Sequence, residues 1–271
     1  MGDERRKLLV IGAHPDDCEI KAGGLATRYA ERGDSVKFVS LTNGATGHHE
    51  IGGVELARRR AEEARAAADV IDAEYAIWDT HTGELVPSLE NRKALVRTIR
   101  EYDPDLVLTH RSNDYHPDHR YAGTLVRDAA YLIEVPNMCP LTPALENTPV
   151  IAHFSDEFEK PNPFEADVAI SIDETIETKI DMIHRHESQL YEWLPYNRGT
   201  LDEVPDDSEG RREWLKEQRL PDFERVAERS RDRLVEYYGA AGDRVQYAEA
   251  FEISEYGGSI DDDAVDDLFP H

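Results

Sequence analysis

The chain has 271 residues, 39% hydrophobic and 32% charged, with 57 Asp and Glu against 31 Lys and Arg and a formal net charge of −26. At roughly 100–200 residues per domain, this length suits one large domain or two small ones. So acidic a balance excludes a duplex-coating nucleic-acid binder, which needs a basic stripe, and disfavours adsorption to anionic membranes.

Only seven of the cationic residues are lysine. Abundant carboxylates with few lysines point to a halophilic, salt-rich interior, where ions screen self-repulsion. The melting temperature is therefore expected to rise with KCl concentration, and a midpoint indifferent to KCl contradicts this reading. Two cysteines, Cys18 and Cys139, give neither a disulfide framework nor a Cys-x-x-Cys pair, as suits a reducing compartment. After Arg5 and Arg6 the apolar run lasts only from Leu8 to Gly12, too short for a signal segment. A cytoplasmic location is expected.

Lys7–Ala13 is a short apolar run flanked by polar residues, the pattern of a strand covered on both faces. Ile20–Arg32 has helical spacing and stops at Gly33. Ser35–Thr42 is rich in β-formers, and Asn43-Gly44 follows as a turn. Val54–Val70, full of Ala, Arg and Glu, predicts a strong helix. Glu74–Trp78 and Leu106–Thr109 predict strands, and Ser88–Tyr102 and Arg120–Ile133 predict helices. This alternation specifies an α/β fold, a Rossmann-like doubly wound, mostly parallel sheet with helices on both faces.

C-terminal elaborations follow. The proline-rich stretch after Val135 predicts an ordered excursion, and residues 136–165 could supply a homo-oligomer interface. Val150–Phe154 and Val168–Ile172 predict strands, and Glu174–Leu194 a helix ended by Pro195. Leu201–Gly210 reads as an acidic loop, Arg211–Tyr238 as a long helix interrupted at Pro221, and Tyr247–Ile253 as a returning strand. Residues 1–258 are expected to form a single domain, and the acidic tail 259–271 to be disordered.

Chemistry concentrates in two turns. Ala13-His14-Pro15-Asp16-Asp17 leaves the first strand and opens a helix. Imidazole and carboxylate donors together suit a divalent ion such as Zn²⁺, with Fe²⁺ or Co²⁺ as alternatives. The same carboxylates would equally serve as helix N-caps. Asn113-Asp114-Tyr115-His116-Pro117-Asp118-His119-Arg120 leaves the fourth strand, and its histidines at i and i+3 share one helical face. In the strand order 3-2-1-4-5-6, strands 1 and 4 are neighbours and flank the ligand crevice. Both turns are thus expected at one place. A nucleotide site is disfavoured, because Gly12-Ala13-His14-Pro15-Asp16-Asp17 puts side chains and negative charge where a pyrophosphate would sit. The Gly23-Gly24 pair is expected to serve close helix–sheet packing.

These residues resemble the LmbE/PIG-L family of metal-dependent N-deacetylases, which act largely on N-acetylglucosamine-type sugars and their conjugates. AHPDD at 13–17 and HPDH at 116–119 match its two signature turns. Weaker matches are Thr42-Asn43-Gly44, Arg60 with Glu63, Asp79, His186-Glu187-Ser188-Gln189 and the YAEAFE ending at 247–252. Ala45 departs from the acidic residue that many members carry after TNG. The resemblance implies His14, Asp17 and His119 as zinc ligands, Asp16 as general base, and His116, in its protonated form, as the group that stabilises or protonates the transition state. It also implies substrate contacts from Arg60, Asp79, Asn113 and His186. Implied is a metal-dependent hydrolase that removes acetyl from an N-acetylated sugar or related small amide. The alternatives are hydrolysis of another amide, such as a thiol-conjugate precursor, or a non-catalytic Rossmann-like binding protein that kept a metal turn.

Overall fold

In the computed structural model, which describes residues 5–260 and 262–271, strand β1 (Lys7–Gly12) is buried from Leu8 onward. Alternation along it divides the interior. Leu8 and Val10 join one apolar cluster, while Leu9 and Ile11 join another on the opposite face. The first cluster is completed by α1 (Asp17–Glu31), α5 (Ile176–His184) and α7 (Ser208–Arg229). The second is closed by α3 (Leu89–Tyr102) and α4 (Pro117–Ala130). Between β2 (Ser35–Ser40) and β3 (Glu74–Ile77) lies α2 (Gly53–Ala68).

With β4 (Leu106–Thr109), β5 (Val150–Phe154), β6 (Val168–Ser171) and β7 (Ala248–Ile253), the strands form one sheet ordered β3-β2-β1-β4-β5-β7-β6. Leu9 of β1 faces Lys37 of β2 on one side and Val107 of β4 on the other, both parallel. The expected α/β sheet with helices on both faces is present, and β1 and β4 are neighbours. β7 enters antiparallel between β5 and β6. A Cβ on Gly24 would meet Ile172 Cγ2 at 2.3 Å, so the glycine permits the close packing of α1 there. The proline-rich excursion is ordered because the buried Arg100 guanidinium donates to the carbonyls of Leu132, Ile133, Val135, Met138 and Thr142 at 2.6–2.9 Å.

Four expectations need correction. The helix predicted over Glu174–Leu194 ends at His184 and resumes as a π-turn over Ser188–Trp193. Pro195 does not end it but stands in the first turn of α6 (Leu194–Arg198), where a missing N–H costs nothing. The acidic loop gives way to α7 at Ser208, because Asp207 accepts from Gly210 N at 2.9 Å. Pro221 does not interrupt α7, whose buried Leu215, Phe223 and Ala227 hold it in place; the break falls at Ser230, before α8 (Arg231–Tyr238). Nor are the described residues of the tail disordered. Helix α9 (Asp262–Leu268) brings Leu268 and Phe269 into the first apolar cluster, and Tyr29 Oη donates to Leu268 O at 2.7 Å.

Phe269 is fully buried, its ring 5.5 Å from that of Phe251. Phe269→Ala is expected to cost about 3–5 kcal/mol of unfolding free energy, read by chemical denaturation. Loss of less than about 1 kcal/mol would show the tail contributes little. Among the described residues no helix is long and apolar enough to cross a membrane.

Candidate metal centre

The first turn folds around one carboxylate. Asp17 Oδ2 accepts from Ala13 N at 2.9 Å and from His14 N at 2.8 Å, which bends the chain as it leaves β1. Asp16 just before it has φ of +129°, a conformation that L-residues rarely adopt, and is buried. Its side chain makes no capping bond to α1. It faces Arg60 instead, whose Nη2 lies 3.1 Å from Asp16 Oδ1 and also donates to Pro15 O. Capping therefore does not account for Asp16.

The second turn leaves β4 through His110 and Arg111, both buried. Arg111 pairs with Asp156 at 2.7 Å and donates to the carbonyls of Phe158, Asn162 and Pro163, fixing the loop after β5. His116 caps α4, its Nδ1 accepting from Asp118 N at 3.2 Å. His119 follows in the first turn of α4, as the i, i+3 spacing requires.

The two turns meet. His14 Nδ1 and His119 Nε2 are 3.2 Å apart, and Asp17 Oδ2 lies 3.6 Å from the former and 3.7 Å from the latter. Nitrogen and oxygen ligands about 2.0–2.2 Å from a tetrahedral ion stand roughly 3.3–3.6 Å from one another, so the triangle has the right size for one cation. The outward nitrogens are also provided for. His14 Nε2 is 3.1 Å from Asp118 Oδ2, and His119 Nδ1 is 3.1 Å from Asp114 Oδ1. Each carboxylate fixes the tautomer that leaves the inward nitrogen with a free lone pair. The residues fit a divalent metal.

Asp118 is itself anchored by Gly83 N at 2.6 Å and Leu85 N at 3.3 Å. Removing this support with Asp118→Ala is expected to weaken zinc binding by about 10–100-fold in a competitive chelator titration. Unchanged affinity would mean that the His14–Asp118 contact does not serve the ion.

Burial pushes the Asp17 carboxyl up, but the imidazoles of His119, His110 and His14 outweigh it and hold the group well below the usual range. Burial raises the Asp16 carboxyl, and the Arg60 guanidinium only partly opposes this. The pKa of His116 is lowered by burial and by His14 and His119 nearby. That imidazole is thus neutral at pH 7, and since Nδ1 accepts the capping bond, its proton sits on Nε2.

Sequence reasoning missed His110. Its Nε2 is 3.1 Å from Asp17 Oδ2, its ring stacks on His119 at 4.1 Å, and burial lowers its pKa to about 4. Asp17, His110 and His119 also form a second group of three donor atoms within 4.8 Å of one another, beside His14, His116 and His119. The available signal was a histidine at the carboxyl end of a strand, Thr109-His110.

The four residues expected to contact substrate are placed differently. Arg60 is 2% exposed behind Asp16, and is not on a solvated helix face. His186 is fully buried, Nε2 3.0 Å from Glu19 Oε1. Asn113 donates to Asn162 O at 3.1 Å on the loop that Arg111 fixes. Asp79 is exposed, accepts from Asn43 at 3.3 Å, and lines a separate groove with Trp78, His81 and Arg58. Cys18 is buried, as a packed thiol, and His48 is tied to Glu192 at 2.8 Å. A cavity of about 400 Å³ opens beside His119 and Asp114, walled in part by Tyr115, Phe158 and Phe164.

The family described as PIG-L: GlcNAc-PI de-N-acetylase matches residues 9–130, which contain both turns. Diacetylchitobiose deacetylase of Thermococcus kodakarensis is 34% identical over 207 residues, covering 71% of this chain and 75% of that protein. This chain belongs to the PIG-L family. N,N'-diacetylchitobiose deacetylase from Pyrococcus horikoshii, solved with an inhibitor, superposes with a TM-score of 0.69 at 26% identity, covering 93% of this chain and 85% of that one. Sequence similarity also reaches 4-oxalmesaconate hydratase of Pseudomonas putida, 25% identical over 209 residues and covering 74% of this chain and 81% of that protein. Likeness to PIG-L proteins therefore fixes the scaffold more tightly than the reaction.

Proposed function

We propose that this PIG-L protein is a zinc-dependent N-deacetylase of small N-acetylated amino sugars. The observation that carries the reading is the triangle of His14, Asp17 and His119, with Asp118 and Asp114 behind the two imidazoles. These three residues would hold the ion; Fe²⁺ or Co²⁺ suits the same donors. When bound, a divalent ion polarises a carbonyl and lowers the pKa of a ligated water from about 15.7 to about 7.

Asp16 takes the proton. It is next to a ligand but spent on Arg60, and burial raises its proton affinity toward that of a useful base. Having accepted a proton from water, it returns one to the leaving amine as the carbon–nitrogen bond breaks. Arg60 keeps the carboxylate aimed, a positioning role that replaces its expected contact with substrate. His116 donates Nε2–H to the oxygen that becomes negative as water adds to the carbonyl carbon. It does so as a neutral imidazole, since its pKa is lowered. The substrate class rests on the deacetylase relatives, both of which act on an N-acetylated disaccharide by name.

The deciding experiment measures acetate and free amine from diacetylchitobiose, N-acetylglucosamine and acetylated thiol-conjugate precursors, with zinc and with a chelator. Acetate and amine are expected in equal amounts, and the chelator is expected to abolish both. Consumption of 4-oxalmesaconate with no acetate from any amide would favour hydration instead.

A further inference from the structure

Five cationic side chains, Lys21, Lys179, Arg219, Arg225 and Arg229, line the cavity of about 400 Å³ beside His119. That is a marked concentration in a chain of net charge −26. Three of them are neutralised in place. Lys179 meets Glu249 at 2.5 Å, and Arg219 and Arg225 both reach Asp222. The other wall carboxylates are held too: Asp156 by Arg111, Glu157 by Arg225, and Asp114 by His119.

Lys21 and Arg229 differ. Among the described residues neither forms an ion pair with a carboxylate. Lys21 Nζ donates only to Ser155 O at 2.9 Å, and Arg229 Nη1 only to Asp156 O at 3.4 Å. Those carbonyls belong to adjacent residues just after β5, so two cations without a carboxylate partner, Lys21 half-buried and Arg229 exposed, meet one stretch of wall. Lys21 sits one turn beyond Asp17 on α1 and lines the cavity together with His119. Tyr115 and Phe158, with ring centroids 6.0 Å apart, add aromatic surface suited to a sugar to the same cavity. A carbonyl satisfies a cation less well than an anion does, because charge-assisted hydrogen bonds are about twice as strong as neutral ones.

We propose that this cavity is an anion subsite, and that the substrate is an acetylated amino sugar bearing a carboxylate or phosphate that Lys21 and Arg229 bind. The inference rests on the deacetylase reading and deepens it. At one fixed ionic strength, kcat/KM is compared for N-acetylglucosamine 1-phosphate, N-acetylmuramic acid and the neutral methyl glycoside of N-acetylglucosamine. At least one anionic sugar is expected to exceed the neutral one about tenfold or more, the effect of one or two charged hydrogen bonds. Which of the two does so tells phosphate from carboxylate. K21Q and R229Q are each expected to reduce that ratio about tenfold.

A ratio near one in the native protein, or one that neither variant changes, overturns the subsite while leaving the deacetylase standing. Acetate from none of the sugars overturns both. Should a variant fail to fold, the native protein decides: glucose 1-phosphate is expected to inhibit neutral-sugar turnover competitively where glucose does not. Equal inhibition by the two would also overturn the subsite.

Discussion

Asp16→Asn is expected to lower kcat by about 10²–10⁴-fold while the protein still binds one divalent ion per chain. Asparagine has nearly the same volume, tolerates positive φ better than most residues, and its amide oxygen can still accept from Arg60. The fold should survive. What asparagine cannot do is take a proton from water. The expected signature is a large fall in kcat with zinc stoichiometry unchanged. Full activity would mean that the base is elsewhere, and loss of zinc would mean that Asp16 belongs to the ligand set.

His14→Ala should behave differently. It removes one corner of the triangle and leaves Asp17 and His119 to hold the ion alone. Zinc binding and acetate release are both expected to fall to background. Stability supplies an independent readout. A ligand bound to the native state at a hundred times its Kd stabilises by about 2.7 kcal/mol, so zinc should raise the melting temperature of the native chain and of Asp16→Asn. It should leave His14→Ala unmoved. A zinc-dependent shift of native size in His14→Ala would remove this residue from the centre.

Much of this was legible because the governing signals are local. The apolar run Lys7–Ala13 and the Ala-rich helix around Arg60 needed no tertiary information, and the order rule for wound sheets placed the turns after β1 and β4 side by side. The sense of β7 was hidden, because a strand covered on both faces carries no mark of direction in its pattern. Composition misled at the tail: the acidic run ends in Leu268 and Phe269, and two large apolar side chains in the core outweigh the charge before them. His110 and the burial of Arg60 depend on contacts with residues far away in sequence, namely Asp17 and Asp16. Proline at 221 looked like a break, yet one missing hydrogen bond on an exposed face weighs less than the buried side of α7.

X-ray absorption spectroscopy of the zinc-loaded protein tests the central claim most directly. One zinc per chain is expected, with two imidazole nitrogens and oxygen ligands at about 2.0–2.2 Å, and with the imidazole signal reduced in a His119→Ala sample prepared alongside. Zinc bound without imidazole, or no stoichiometric zinc at all, would contradict the account.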